Sequence, residues 1–207
     1  MKKHLISFVV DSSSSMYDKI DVIRKGLARF INCFLDNTDI AIITFGEGGS
    51  ELILPPCRAD ELTQIPLFEA GGADHICEGI CKAINVTNLW IDDNDNNGSP
   101  YFKPWVVCLT DVEDIDSCIF GYDEHSHCIT EIENTNAYFV MIGIGVNVCY
   151  DLLSKFSGTI CPIKIDENNL VSFLDLLGQN VCSLLLASIE NEEMFVQKWK
   201  TLTEYTE

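Results

Sequence analysis

Hydrophobic positions along the chain alternate between short unbroken runs and longer runs with helical spacing. Residues 5–10, Leu-Ile-Ser-Phe-Val-Val, read as a strand buried on both faces. Over residues 17–35, Ile20, Ile23, Leu27, Phe30, Ile31 and Phe34 recur at three- and four-residue steps. That spacing predicts a helix with one apolar face, stopped by Asn37. Residues 39–45 predict a second strand and 46–49 a turn, and 51–54 predict a short edge strand halted by Pro55-Pro56. Residues 57–68 read as irregular, with one helical turn near 59–63. Ala70-Gly71-Gly72-Ala73-Asp74 then forms a Gly-rich turn before a helix over 75–89, whose buried face is Ile76, Ile80, Ala83, Ile84 and Val86.

Residues 92–99 are strongly polar and predict a solvated loop. Asp93-x-Asp95-x-Asn97-Gly98 matches the first half of a calcium loop, but position twelve is Pro104 instead of glutamate. A strand follows at 105–109, then a loop over 112–122 that carries Glu113, Asp114 and Asp116. Further elements are a helix at 123–134, a strand at 138–145, a helix at 148–156 closed by Gly158, a strand at 160–165 and a long helix at 168–192. Such alternation implies parallel strands joined by right-handed crossovers. The expected fold is α/β: three α-β-α layers, Rossmann-like, around a mostly parallel sheet with one short antiparallel edge strand. The first strand is expected at its centre. Residues 1–190 read as one domain and 191–207 as a helical or extended tail.

Composition narrows the partners. Among 207 residues, 32 are acidic and 13 basic, a formal charge of −19. That excess argues against nucleic acid and against anionic membranes, which need Lys and Arg, and it permits cations and protein partners. The run over 170–189 is broken by Asp175, Gln179 and Asn180, so it reads as a packed helix rather than a membrane span. No secretory signal is read at Met1-Lys2-Lys3-His4, so the expectation is a cytoplasmic monomer with reduced thiols. Of the ten cysteines, Cys33, Cys77, Cys81, Cys108, Cys149 and Cys182 sit among apolar residues and read as small core side chains.

The candidate chemistry lies where strands end. Asp11, Ser13 and Ser15 offer oxygens at alternate positions just beyond the first strand, and Thr110-Asp111 follow the strand at 105–109. Asp74 stands at the Gly-rich turn, near a helix N-terminus that stabilises its charge. In open α/β sheets, ligands bind beyond the carboxyl ends of the strands. Hard oxygen donors suit Mg²⁺, Mn²⁺ or Ca²⁺. Three aspartates meeting without a cation would repel, so one would take up a proton or a loop would splay. Acids that pointed apart, or were knitted into lysine bridges that leave no vacancy, would contradict this reading. His125, His127, Cys128 and Cys118 have no zinc-finger spacing, and Cys77 and Cys81 read as core neighbours on one helix face. No Gly-x-Ser-x-Gly elbow, phosphate-binding loop or kinase signature is present, although His75, which follows Asp74, is expected close enough to the serines to keep hydrolase chemistry open.

These motifs resemble the von Willebrand factor A domain and its metal-ion-dependent adhesion site (MIDAS). Asp11, Ser13 and Ser15 match the family's Asp-x-Ser-x-Ser motif, and Leu109-Thr110-Asp111 match its third motif with Val112 in place of the usual Gly. Aligned on Ile76, Gly79 and Ile80, the family's threonine position carries Asp74, whereas a slip of one residue would put Ala73 there. The resemblance spans roughly residues 4–186 and is greatest to the short intracellular members associated with bacterial tellurite resistance. It implies a non-enzymatic interaction module in which Asp11, Ser13, Ser15, Asp74 and Asp111 hold Mg²⁺ (or Mn²⁺ or Ca²⁺) and a partner protein's Asp or Glu completes the shell. Two alternatives stay open: a metal-dependent hydrolase or phosphatase using the same carboxylates, and a metal-free scaffold with Asp74 paired to Lys or Arg.

Overall fold

The apolar run near the N-terminus forms β1 (His4–Ser12), whose nine residues are all buried. In the computed structural model, which describes residues 2–33, 37–113, 122–158, 160–190 and 192–203, β1 lies inside a six-stranded sheet of order β3-β2-β1-β4-β5-β6. It pairs in parallel with β2 (Thr38–Gly46) on one side and β4 (Trp105–Thr110) on the other. β5 (Tyr138–Ile144) and β6 (Ile163–Ile165) extend the parallel part, and β3 (Gly49–Arg58) pairs antiparallel to β2 at the edge.

Alternation along the strands divides the core in two. Ile6, Phe8 and Val10 of β1 join Ile40, Ile42, Val107, Leu109 and Val140 beneath α1 (Ile20–Asn32) and α5 (Leu170–Glu190). Leu5 and Val9 join Ala41, Ile43, Phe45, Val106 and Cys108 beneath α2 (Ile76–Asn96), with α3 (Tyr122–Asn134) and α4 (Tyr150–Phe156) on the same side. α2 approaches closely at Gly79, where a Cβ would stand 2.6 Å from Phe45 Cδ1 and 3.0 Å from Val9 Cγ1. The result is the three-layer α/β fold, mostly parallel with one antiparallel edge strand.

Several boundaries differ from the sequence expectation. α2 runs through Asn96, so Asp93 and Asp95 are helical and the residues matching a calcium loop form no such loop. The extension is anchored by Trp90 and Asn94, both buried. Trp90 Nε1 donates to Asp39 Oδ2 at 2.8 Å, and Asn94 Nδ2 donates to the Trp90 carbonyl at 2.7 Å. The edge strand does not stop at Pro55-Pro56. Leu54 pairs with Ile42 and Cys57 with Ile40, so both prolines bulge out opposite Ala41, where no ladder N–H is needed. α1 begins at Ile20, after a single 3-10 turn at Ser14–Met16. Leu35, Asp114, Asp116 and Cys118 lie outside the described residues, as does the side chain of Cys182.

The last helix, α6 (Glu192–Thr203), covers the end of the sheet where β4 and β5 begin. Phe195 is fully buried, stacked on Tyr138 at 4.3 Å between ring centroids and tilted against Trp105 at 5.6 Å. Trp199 is also buried, and its Nε1 donates to the Cys161 carbonyl at 3.3 Å. No helix among the described residues is long and apolar enough to cross a membrane.

His4 is buried at that same end, edge-on to Trp105 and Phe102, and neither ring nitrogen has a hydrogen-bond partner among the described residues. Burial lowers its pKa to about 3. The unfolded chain protonates this histidine near pH 6.5 while the folded chain resists, so stability is lost as pH falls between those values. His4→Leu is expected to remove about 2 kcal/mol of the loss between pH 7 and 4.5 in urea unfolding. Equal pH slopes in both proteins would contradict a neutral buried imidazole. Phe195→Ala is expected to cost about 3–5 kcal/mol in the same measurement, and a loss under 1 kcal/mol would mean that α6 is not part of the core.

Candidate metal centre

Strand order places the candidate residues. β1 connects to β2 on one side, and the chain later returns to β4 on the other, so a crevice opens between the carboxyl ends of β1 and β4. Asp11 is the penultimate residue of β1, and Thr110 ends β4. Their side chains meet: Thr110 Oγ1 donates to Asp11 Oδ2 at 2.6 Å. The Ser13 N–H donates to Asp11 Oδ1 at 2.8 Å, closing the turn after the strand.

A hydroxyl relay crosses the crevice. Ser15 Oγ donates to Asp111 Oδ1 at 2.7 Å, which leaves its lone pairs to accept from Ser13 Oγ at 3.0 Å. The Gly-rich turn is tied in through backbone. Gly71 N donates to the Ser12 carbonyl at 2.7 Å, and Ser14 donates to the Gly72 carbonyl from N at 3.1 Å and from Oγ at 3.0 Å. Gly72 has φ +72°, and a Cβ there would lie 2.4 Å from Glu47 Cα, so position and conformation both demand glycine. Asp74 follows this turn at the start of α2, its Oδ1 accepting from Ile76 N at 3.1 Å.

The carboxylates feel one another. Burial raises the Asp74 pKa to about 7, with the charge of Asp11 next and that of Asp111 adding to it. Asp11, fully buried, is also raised, chiefly by burial, against the stabilising bonds from Thr110 and Ser13. For both carboxyls burial is the larger cause, and the charge of a neighbouring carboxylate adds to it. Among the described residues, no three His, Cys, Asp or Glu side chains stand close enough together to hold a metal ion by themselves.

A countercharge that sequence reasoning missed is present. Lys19 Nζ donates to Asp111 Oδ2 at 2.5 Å and to the Ser15 carbonyl at 3.2 Å. The lysine therefore meets Asp111, and no ion pair to Asp74 is formed among the described residues. The usable signal was position: Lys19 falls four residues after Ser15, one turn along the chain. Beside this pair lies a cavity of about 230 Å³, lined by Lys19, Asp111, Glu113, Val146, Asp166 and Glu167 among others.

Other candidates separate. The His125 ring packs edge-on to Phe156 at 5.9 Å, and His127 is exposed. Cys128 is buried and turns toward Cys77 and Cys81, and its hydrogen bond lowers the Cys81 thiol below the usual range. His75 Nδ1 stands 3.8 Å from Glu78.

No protein-family model and no curated protein matches the chain. Solved structures do match in fold. A von Willebrand factor type A protein from Catenulispora acidiphila is 16% identical with a TM-score of 0.69, over 86% of this chain and 42% of that one. The ArnB paralog VWA2 from Sulfolobus acidocaldarius is 16% identical with a TM-score of 0.62, over 85% and 45%. Proximal thread matrix protein 1 from the mussel byssus, solved with a zinc-occupied MIDAS motif, is 16% identical with a TM-score of 0.57, over 87% and 46%. This chain thus spans less than half the length of each. Likeness at these identities is one of architecture, and the architecture is that of the von Willebrand factor A domains.

Proposed function

We propose that this chain is a non-enzymatic protein-interaction module whose binding depends on a divalent cation. Mg²⁺ is the proposed ion, with Mn²⁺ or Ca²⁺ as substitutes. Asp11, Ser13, Ser15, Asp74 and Asp111 would hold it directly or through water, and an Asp or Glu of a protein partner would complete the shell. The observation that carries this reading is the convergence of three loops through Thr110–Asp11, Ser15–Asp111 and Gly71–Ser12 hydrogen bonds. Their oxygens are hard donors, and Asp74, raised first by burial and then by the charge of Asp11, is a carboxyl that a nearby cation would stabilise in its charged form. The zinc-occupied MIDAS motif in a protein of the same fold supports the assignment.

The charge of −19 supports a protein partner over nucleic acid or an anionic membrane. A cytoplasmic monomer of the tellurite-resistance-associated branch remains our assignment from sequence, with residues 1–190 as the domain and 191–207 as a tail whose helix α6 packs Phe195 and Trp199 into the domain's core. A hydrolase reading would require that the same carboxylates activate water on a bound ion. Turnover of a generic phosphoester, lost in Asp11→Ala, would favour it over the interaction module.

Two outcomes are expected. Saturating Mg²⁺ or Mn²⁺ should raise the melting temperature of the wild-type chain and leave Asp11→Ala unmoved; identical responses in the two proteins would end the metal reading. In metal-free buffer, Asp74→Asn should melt higher than wild type. Asp74 titrates near 7 when folded and near 3.8 when unfolded, so its charge destabilises the fold above pH 7 and the penalty fades as pH falls between those values. The gain should be on the order of 5 °C at pH 8 and should shrink by pH 4.5. A gain independent of pH would show that Asp74 is not under electrostatic strain.

A further inference from the structure

Lys19 occupies a position that local forces disfavour. It is the N-cap residue of α1, where the helix dipole presents its positive end and a cation is unfavourable. Its ammonium is compensated by two groups, Asp111 Oδ2 and the Ser15 carbonyl, each belonging to a loop of the candidate centre. The side chains are only 19% and 9% exposed, so the pair is partly shielded from salt. The other oxygen of Asp111 takes the Ser15 hydroxyl. Lysine thus already supplies one of the positive charges that the three aspartates require, at the carboxylate an incoming ion would need.

The same side chain lines the neighbouring cavity of about 230 Å³, whose rim also carries Glu113, Asp166 and Glu167. That cavity gives the ammonium an alternative acidic environment without crossing the core. Among the described residues, Asp11 is engaged by Thr110 and Ser13 and Asp74 by Ile76 N, with no lysine on either, so an entering ion meets two carboxylates that no described lysine holds.

We infer that Lys19 is a tethered competitor for the divalent ion, resting on Asp111 in the metal-free centre and moving toward Glu113, Asp166 and Glu167 when an ion binds. This rests on the metal reading above and adds regulation to it: affinity is set by the difference between the ion's hold on Asp111 and that of the lysine. The centre then loads only at ion concentrations high enough to displace an internal cation. A Lys19 that is acetylated, and so neutral, would load at lower concentration.

The test uses the full chain and Mn²⁺ alone as probe. Calorimetric titration of wild type, Lys19→Met, Asp11→Ala and the Asp11→Ala/Lys19→Met double variant gives the affinities. Lys25→Met serves as a control for loss of charge elsewhere on α1. The expected result is tighter Mn²⁺ binding in Lys19→Met by about tenfold or more, little change in Lys25→Met, and none detectable in either Asp11→Ala background. A second readout covers a variant that folds poorly: reactivity of the Lys19 amine toward an acylating ester in the wild-type chain, mapped by mass spectrometry with and without Mn²⁺. It should rise when the ion displaces the ammonium. Equal affinity in wild type and Lys19→Met, or Lys19 reactivity unmoved by a saturating ion, would overturn the competitor role while leaving the metal centre intact. Absence of Mn²⁺ binding in both wild type and Lys19→Met would remove the metal reading itself, and the competitor with it.

Discussion

Burial of the Asp11 and Asp74 carboxyls at one end of the sheet, with Asp111 close enough to add its charge, is the constraint around which this end of the molecule is arranged. None of the three is placed by its own preference. Asp11 is carried by a strand paired on both edges, Asp111 by the next strand across the crevice, and Asp74 by a turn whose carbonyls and N–H groups are committed to neighbouring loops. Their charges cannot separate without breaking that backbone. Hydroxyl and amide donors and one ammonium meet these carboxyls, while burial, with neighbouring acid charge adding to it, keeps Asp11 and Asp74 above the usual carboxyl range. Folding energy from two hydrophobic layers is what holds the acids together.

The departure at Asp74 changes what such a centre offers a partner. A third carboxylate makes it more negative, which favours retention of a divalent ion once bound but weakens its attraction for an acidic side chain. Lys19 acts in the opposite sense, by returning positive charge to the same few ångströms.

Much of this was legible in the chain. The apolar run at residues 5–10, interrupted by Ser7 alone, marked the central strand, because a strand covered on both faces is what tolerates it. The acids and serines stood out because polar residues directly follow buried runs. What could not be read has physical reasons. The Lys19–Asp111 pair joins residues 92 apart, and a lysine in a first helical turn carries no local mark of a distant partner. The end of α2 was hidden because residues 92–97 are as polar as a loop, and its anchors, Trp90 and Asn94, act through tertiary burial. β3 passes the prolines because bulges relieve them of ladder bonds, a choice made by the partner strand. The docking of α6 could not be read: Phe195 and Trp199 lie four apart on one helix face, but the sheet end that receives them is assembled from distant residues such as Trp105 and Tyr138.

The most direct test of the central claim is a crystal grown or soaked with Mn²⁺ and measured for anomalous scattering. The account predicts one peak between the three loops, in bonding contact with oxygens of Asp11 and the serines, with the Lys19 ammonium drawn off Asp111. Ordered density for all three loops, no peak, and Lys19 still seated on Asp111 would contradict it.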